Sequence, residues 1–129
     1  ELNLKELKDL HGGENELCIY EHQQVMLANN CVLKTKGKCN HNDDIVKIND
    51  DKGNSFFAVC NCDECINTIY NGVPLVIFDK NIDIDHVKYH RINFITEDKE
   101  MVNKVMKSYL TGSKLDIKYT MGHIKRGVE

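Results

Sequence analysis

Five of the chain's six cysteines lie between positions 31 and 65. This crowding constrains the chain more than any other feature of its sequence. The five fall into two groups, Cys31 and Cys39 in CVLKTKGKC, and Cys60, Cys62 and Cys65 in CNCDEC. An even cysteine count in a short secreted chain suggests a disulfide framework. Staples, however, are spread along a chain, and these are bunched. Apolar residues make up 41% of the sequence, enough for a core that needs no staples. The expectation is a reduced, cytoplasmic chain that uses sulfur to hold metal.

Thiolates are soft and charged, and four of them satisfy a tetrahedral ion. Such sites are assembled from two short knuckles brought together by a hairpin. Here Cys31-x7-Cys39 is one half and Cys62-x2-Cys65 the other. Between them, IVKINDDKGNSFFAV reads as a hairpin, with β-rich runs at 45–48 and 55–59 around a turn rich in Asn, Asp and Gly. The x2 spacing is a strong local metal signal. The x7 spacing is looser than zinc knuckles use, and iron–sulfur clusters tolerate such irregularity better. The cofactor is therefore zinc or an iron–sulfur cluster. Cys60 rivals Cys62 as a ligand, and His41 is a substitute ligand. A redox Cys-x-x-Cys is the alternative. It opens a helix after a strand, where the helix dipole lowers a thiol pKa, but the upstream cysteine pair favours metal. Ordinary reduced cysteines are the bland reading, against which the clustering weighs. Cys18, inside an apolar strand, reads as a small core residue.

Around this insert the sequence alternates strands and helices. NLKELKDLHGG reads as a short helix with Leu4, Leu7 and Leu10 on one face, Asn3 and Glu6 forming a capping box, and Gly12–Gly13 as the stop. ELCIYEHQQVML reads as one extended segment, buried on both faces. Residues 28–44 read as a loop or knuckle, 63–70 as a short helix, and VPLVIF as a buried strand. DIDHVKYH reads as a helical turn and RINFI as a strand. The clearest helix is EDKEMVNKVMKSYLTG, capped by Thr96 and ended by Gly112. Its apolar stripe is Val102, Val105, Met106, Tyr109 and Leu110. The expected fold class is α/β: a partial (β/α) barrel-type fragment with an inserted cysteine-rich β-hairpin. The 129 residues form one such fragment of a larger domain, with 28–66 as the cysteine-rich insert.

A net charge of −3 gives no strong field for nucleic acid or an anionic surface, and no apolar run is long enough for a membrane span. There is no Gly-x-Ser-x-Gly, His-Glu-x-x-His or Gly-rich phosphate loop. His22 reads as a structural histidine, and His86 and His90 as surface residues. His123 and Arg126 stand together in GHIKRG, where glycines beside basic groups can form an anion or substrate pocket. A solvated terminal loop is the plain alternative.

These motifs converge on a family. YEHQQVMLANNC, then CDEC followed by INTIYNGVPLVI, then RINFITED, and finally YTMGHIKRGVE together resemble the collagenase-like peptidases of family U-32. The order and rough spacing match from about residue 16 to the end of the chain. The resemblance implies the later part of a (β/α)₈-type barrel, with the cysteines at the carboxyl ends of the strands, where such barrels carry their active sites. It implies peptidase activity of unassigned catalytic type on protein or peptide substrates, some of them collagen. Relatives in the family support hydroxylation of ubiquinone precursors or of RNA and carry a four-cysteine iron–sulfur cluster. Carried over by position, the metal ligands are Cys31, Cys39, Cys62 and Cys65, with Cys60 as the alternative, and His123 and Arg126 are the catalytic candidates. Two positions depart from the pattern. Gly72 stands where serine is usual, and Met121 where arginine is common. A zinc-stabilised interaction module is the non-enzymatic alternative. An excerpt of a larger fold leaves sheet edges uncovered, so self-association is expected as well.

Overall fold

The structure is a computed structural model; it describes residues 3–9, 14–39, 41–42, 44–78, 87–122 and 124. Among the described residues ten elements follow in chain order: α1 (Leu4–Lys8), β1 (Glu16–Glu21), β2 (Gln24–Ala28), α2 (Val32–Thr35), β3 (Asp44–Asn49), β4 (Ser55–Asn61), β5 (Ile66–Asn71), β6 (Leu75–Val76), β7 (Tyr89–Ile92) and α3 (Lys99–Thr111). They divide into two compact units. One combines Glu1–Glu21 with Pro74–Glu129, and the other is the continuous segment His22–Val73. The cysteine-rich span 28–66 lies wholly within the second.

The expected barrel fragment is not what forms. A (β/α) barrel needs consecutive parallel strands, each returned by a helix. Here the seven strands make two separate sheets that do not close, ordered β6-β1-β7 and β2-β5-β4-β3. Among the described residues, the named strands contain a single parallel pair, β1 with β7. The cause is local. The cysteine-rich region pairs with itself as an antiparallel sheet, and antiparallel neighbours need only tight turns, not helical crossovers.

In the first unit, β1 is the central strand. It pairs antiparallel with β6 (Tyr20 opposite Val76) and parallel with β7 (Leu17 opposite His90). Its two faces feed two apolar clusters, because alternate side chains point to opposite sides. Ile19 packs with Leu7, Leu75, Ile77, Val87 and Ile124. Tyr20 packs with Val76, Val105 and Leu115. The Tyr20 hydroxyl donates to Glu97 Oε1 at 2.9 Å, and Glu97 Oε2 accepts the Ile95 and Thr96 amides at 2.7 and 3.0 Å. This carboxylate thus fixes the approach to α3, which is capped by Asp98 (side chain to Met101 N, 2.8 Å) and not by Thr96. Gly112 ends the helix in the left-handed region, as its position predicts. Val105 and Ser108 are its buried residues, whereas Leu110 is 73% exposed and outside the expected stripe. At the other end, Asn3 and Glu6 form the expected capping box on α1.

In the second unit, β3 and β4 form the expected hairpin, with Val46 opposite Ala58 and Lys47 opposite Phe57. Asp50 organises its turn. One carboxylate oxygen accepts the Lys52 and Asn54 amides at 2.9 and 2.8 Å, and the other accepts Asn54 Nδ2 at 2.7 Å. These bonds hold the Asp50 carboxyl below its ordinary pKa, the Asn54 side chain contributing most. Two readings change here. Residues 66–71 are the strand β5, not helix, as Ile66, Thr68, Ile69 and Tyr70 favour. The extended stretch 16–27 is two strands in different sheets, and β2 is an edge strand whose Val25, Met26 and Leu27 are 51%, 55% and 58% exposed. The unit's two ends meet, since the Asn71 amide donates to the Gln23 carbonyl at 2.8 Å. Among the described residues, no helix is long and apolar enough to cross a membrane.

Candidate metal centre

The x7 spacing of the first knuckle has a local explanation. Cys31 is the N-cap of α2, a single helical turn, and its carbonyl accepts both the Thr35 amide and the Thr35 hydroxyl at 3.0 Å. The turn is then closed by a Schellman arrangement. The Lys38 amide reaches back to the Leu33 carbonyl (2.9 Å), and the Gly37 amide to the Lys34 carbonyl (3.0 Å). Gly37 sits at φ 64°, the left-handed conformation this closure requires. Cys39 follows directly, so the long spacing is one helical turn and its cap.

The second knuckle is the β4–β5 turn. Asn61 and Ile66 are the last strand pair, which leaves Cys62, Asp63, Glu64 and Cys65 as a four-residue loop with a cysteine at each end. Asn61 Oδ1 accepts the Glu64 amide at 3.2 Å, and Cys65 adopts φ 54° to enter β5. The Cys62 thiol donates to the Asn42 carbonyl at 2.8 Å, and the Cys65 thiol to the Cys62 carbonyl at 3.7 Å. A strand, not a helix, follows Cys65, so no helix N-terminus stands at either thiol. The redox reading loses its physical device.

The two knuckles face one space. A cavity of about 170 Å³ is lined by Cys31, Cys39, Cys62 and Cys65, together with His41 and Lys34. Cys60 does not line it. Cys60 is 1% exposed and packs with Ala58, Leu33 and Cys31 as part of the apolar core. Alternation along β4 explains this, because Ala58 and Cys60 share the inward face. The four cysteines surround the cavity without converging on a point. Among the described residues, no group of three or more His, Cys, Asp or Glu side chains is arranged to hold a metal ion. In this arrangement the Cys62 and Cys65 thiols donate to carbonyls. Metal uptake requires thiolates, so it would exchange those two bonds for metal–sulfur bonds.

Sequence reasoning missed Asn67. It is 1% exposed, and its side chain spans both sides of Cys31: Oδ1 accepts the Val32 amide at 3.4 Å, and Nδ2 donates to the Asn30 carbonyl at 3.3 Å. An asparagine between Ile66 and the β-branched Thr68 and Ile69 is the signal that could have found it, because asparagine disfavours strands and buried amides are kept where they are bonded.

The remaining candidates separate from this site. His22 Nδ1 lies 2.6 Å from the Asn71 carbonyl and therefore donates to it. The ring stands edge-on to Phe57, which stacks on Tyr70, a structural setting. His90 hydrogen-bonds with the Tyr109 hydroxyl at 2.9 Å. Cys18 is half-buried in the first unit; burial, then the neighbouring Glu21, pushes its thiol up to about 11. His86, His123 and Arg126 lie outside the described residues. Compared with known protein families, curated proteins and solved structures, the chain matches none of them.

Proposed function

We propose that the His22–Val73 unit carries a four-thiolate metal centre on Cys31, Cys39, Cys62 and Cys65, within a protein of the collagenase-like peptidase kind. One observation carries this reading: those four cysteines, from two knuckles far apart in sequence, line a single cavity, while the rival Cys60 is packed away from it. The donor set fits a soft metal, with His41 on the same wall as a substitute ligand. Four thiolates would hold either an iron–sulfur cluster or a zinc ion. Reduced thiols are required for either, which favours a cytoplasmic setting.

Anaerobic purification with elemental analysis tests the centre. We expect close to one zinc per chain, or several irons with a brown visible absorption. Cys65→Ser should abolish the metal content, and Cys60→Ala should leave it intact while lowering stability. Metal-free protein from rigorously anaerobic cells would overturn the reading. Brown protein favours the hydroxylation-supporting activity on RNA or a quinone precursor, whereas zinc favours the peptidase or a zinc-stabilised interaction module. Peptide hydrolysis by the protein, lost in His123→Ala, would single out the peptidase.

A further inference from the structure

We propose that a second cavity, beside the cysteine cavity, binds a small oxyanion such as a carboxylate or phosphate. It measures about 330 Å³ and is lined by Asn29, Asn30, Cys31, Lys34, Thr35 and Cys65. Cys31, Lys34 and Cys65 line both cavities and form their shared wall. The inference deepens the metal reading by placing an external ligand against two of the proposed metal ligands, but the anion's own binding rests on the polar lining.

That lining presents solvent-exposed donors with no protein acceptor among the described residues. Among the described residues, Lys34 forms no ion pair, and the Asn29 and Asn30 side chains have no hydrogen-bond partner. The Thr35 hydroxyl is already committed to the Cys31 carbonyl, which leaves the ammonium and two amides as the free donors. An ammonium with planar amides beside it matches an oxyanion. The lysines supply positive charge on this side, which the thiolates of Cys31 and Cys65 oppose when metal is bound, so both the metal-free and the metal-loaded forms are tested. Lys34, Lys36 and Lys38 lie within five residues, and none of them is ion-paired among the described residues. The acids of the neighbouring turn, Asp63 and Glu64, line neither cavity. Asn67 holds the Asn30 carbonyl and the Val32 amide, so the wall that presents these donors is fixed from the core side.

The test is a calorimetric titration of the full chain, metal-free and metal-loaded, with inorganic phosphate and, separately, with succinate. We expect saturable one-to-one binding of at least one of the two, weakened at least tenfold by Lys34→Met and preserved in Lys34→Arg. Lys36→Met removes the same charge from a residue that does not line the cavity and should leave binding within about twofold. The preferred probe identifies the ligand as phosphoryl or carboxylate. Absence of saturable binding in both forms overturns the proposal, as does equal loss in Lys34→Met and Lys36→Met. Metal content measured on the same samples keeps the two ideas apart. Metal without anion binding sinks only the anion site, and anion binding without metal sinks only the metal centre.

Discussion

Replacing Gly72 by serine sets the structure against the sequence pattern. The collagenase-like family pattern has serine at this position, whereas the fold leaves no room for a side chain. A Cβ built on Gly72 falls 2.5 Å from the Ser55 carbonyl oxygen and 2.8 Å from both the Ser55 carbonyl carbon and Oγ. Two of these three atoms are backbone, so no rotamer change relieves the contact. The approach is close because the Gly72 amide donates to that same Ser55 carbonyl at 2.8 Å, where β4 begins and β5 has just ended. A side chain must push the two strand ends apart. Overpacking costs about 1–3 kcal/mol, and loss of the hydrogen bond adds about 0.5–1.5 kcal/mol. The lower backbone entropy of the unfolded variant returns about 0.4–1 kcal/mol. The net loss is about 1–4 kcal/mol for Gly72→Ala and Gly72→Ser alike. Urea unfolding followed by circular dichroism should show the midpoint fall by about 1 M, given the usual slopes of 1–3 kcal/mol per molar. Amide exchange at Asn71 and Gly72 should quicken more than exchange in β3. A midpoint unchanged in Gly72→Ser would refute the close approach and restore the serine pattern as compatible with this fold.

Asn67→Ala leaves the Val32 amide and Asn30 carbonyl without their partner, at a cost of about 1–3 kcal/mol. Competition against a chelator should show metal affinity reduced about 10–100-fold at unchanged stoichiometry, as for other residues that orient a ligand from behind. Alkylation of the metal-free protein with iodoacetamide, read by mass spectrometry, should label exposed Cys39 and Cys65 well before Cys18 at pH 8. Cys18 should catch up only as pH nears about 11. Its raised pKa favours the neutral thiol, so the stability linked to that burial is complete below pH 9.0 and is lost as pH rises through about 11. Tyr20→Phe removes a donor from the Glu97 carboxylate while the Ile95 and Thr96 amides remain, and should lower the melting temperature by several degrees. An unchanged melting curve would show that this carboxylate is satisfied without the phenol.

Local features of this chain were legible because their causes are local. The Asn3–Glu6 capping box, the Asp50–Asn54 turn and the Gly112 helix stop each depend on residues a few positions apart. Shifting the α3 cap from Thr96 to Asp98 needed Glu97, which is drawn back by the phenol of Tyr20, 77 residues away. The split of 16–27 into two strands was hidden for a similar reason. Apolar density gives burial but not the partner, and β1 finds its partners only at Leu75 and Tyr89. INTIYN, by contrast, carried its strand signal openly in Ile, Thr and Tyr. The two groups of cysteines stand out in the sequence, but the separation of Cys60 from Cys62 does not, because it depends on where β4 ends: Cys60 is inside the strand and Cys62 in the turn that follows Asn61.

The cysteine-rich unit is one uninterrupted segment, and β1 and β6 lie on either side of it in the chain. β1 and β6 are neighbours in their sheet, with Glu21 opposite Leu75. To pair, they must close a loop that holds the whole second unit. If His22–Val73 folds first, its joined ends, Gln23 to Asn71, shorten that loop to a few residues. Chain statistics make this worth about 2–3 kcal/mol of closure entropy. The segment is also complete before β6 and β7 leave the ribosome. A metal that fastens its two knuckles would therefore act beyond its own site, by setting how fast the central strand of the other unit finds its neighbours.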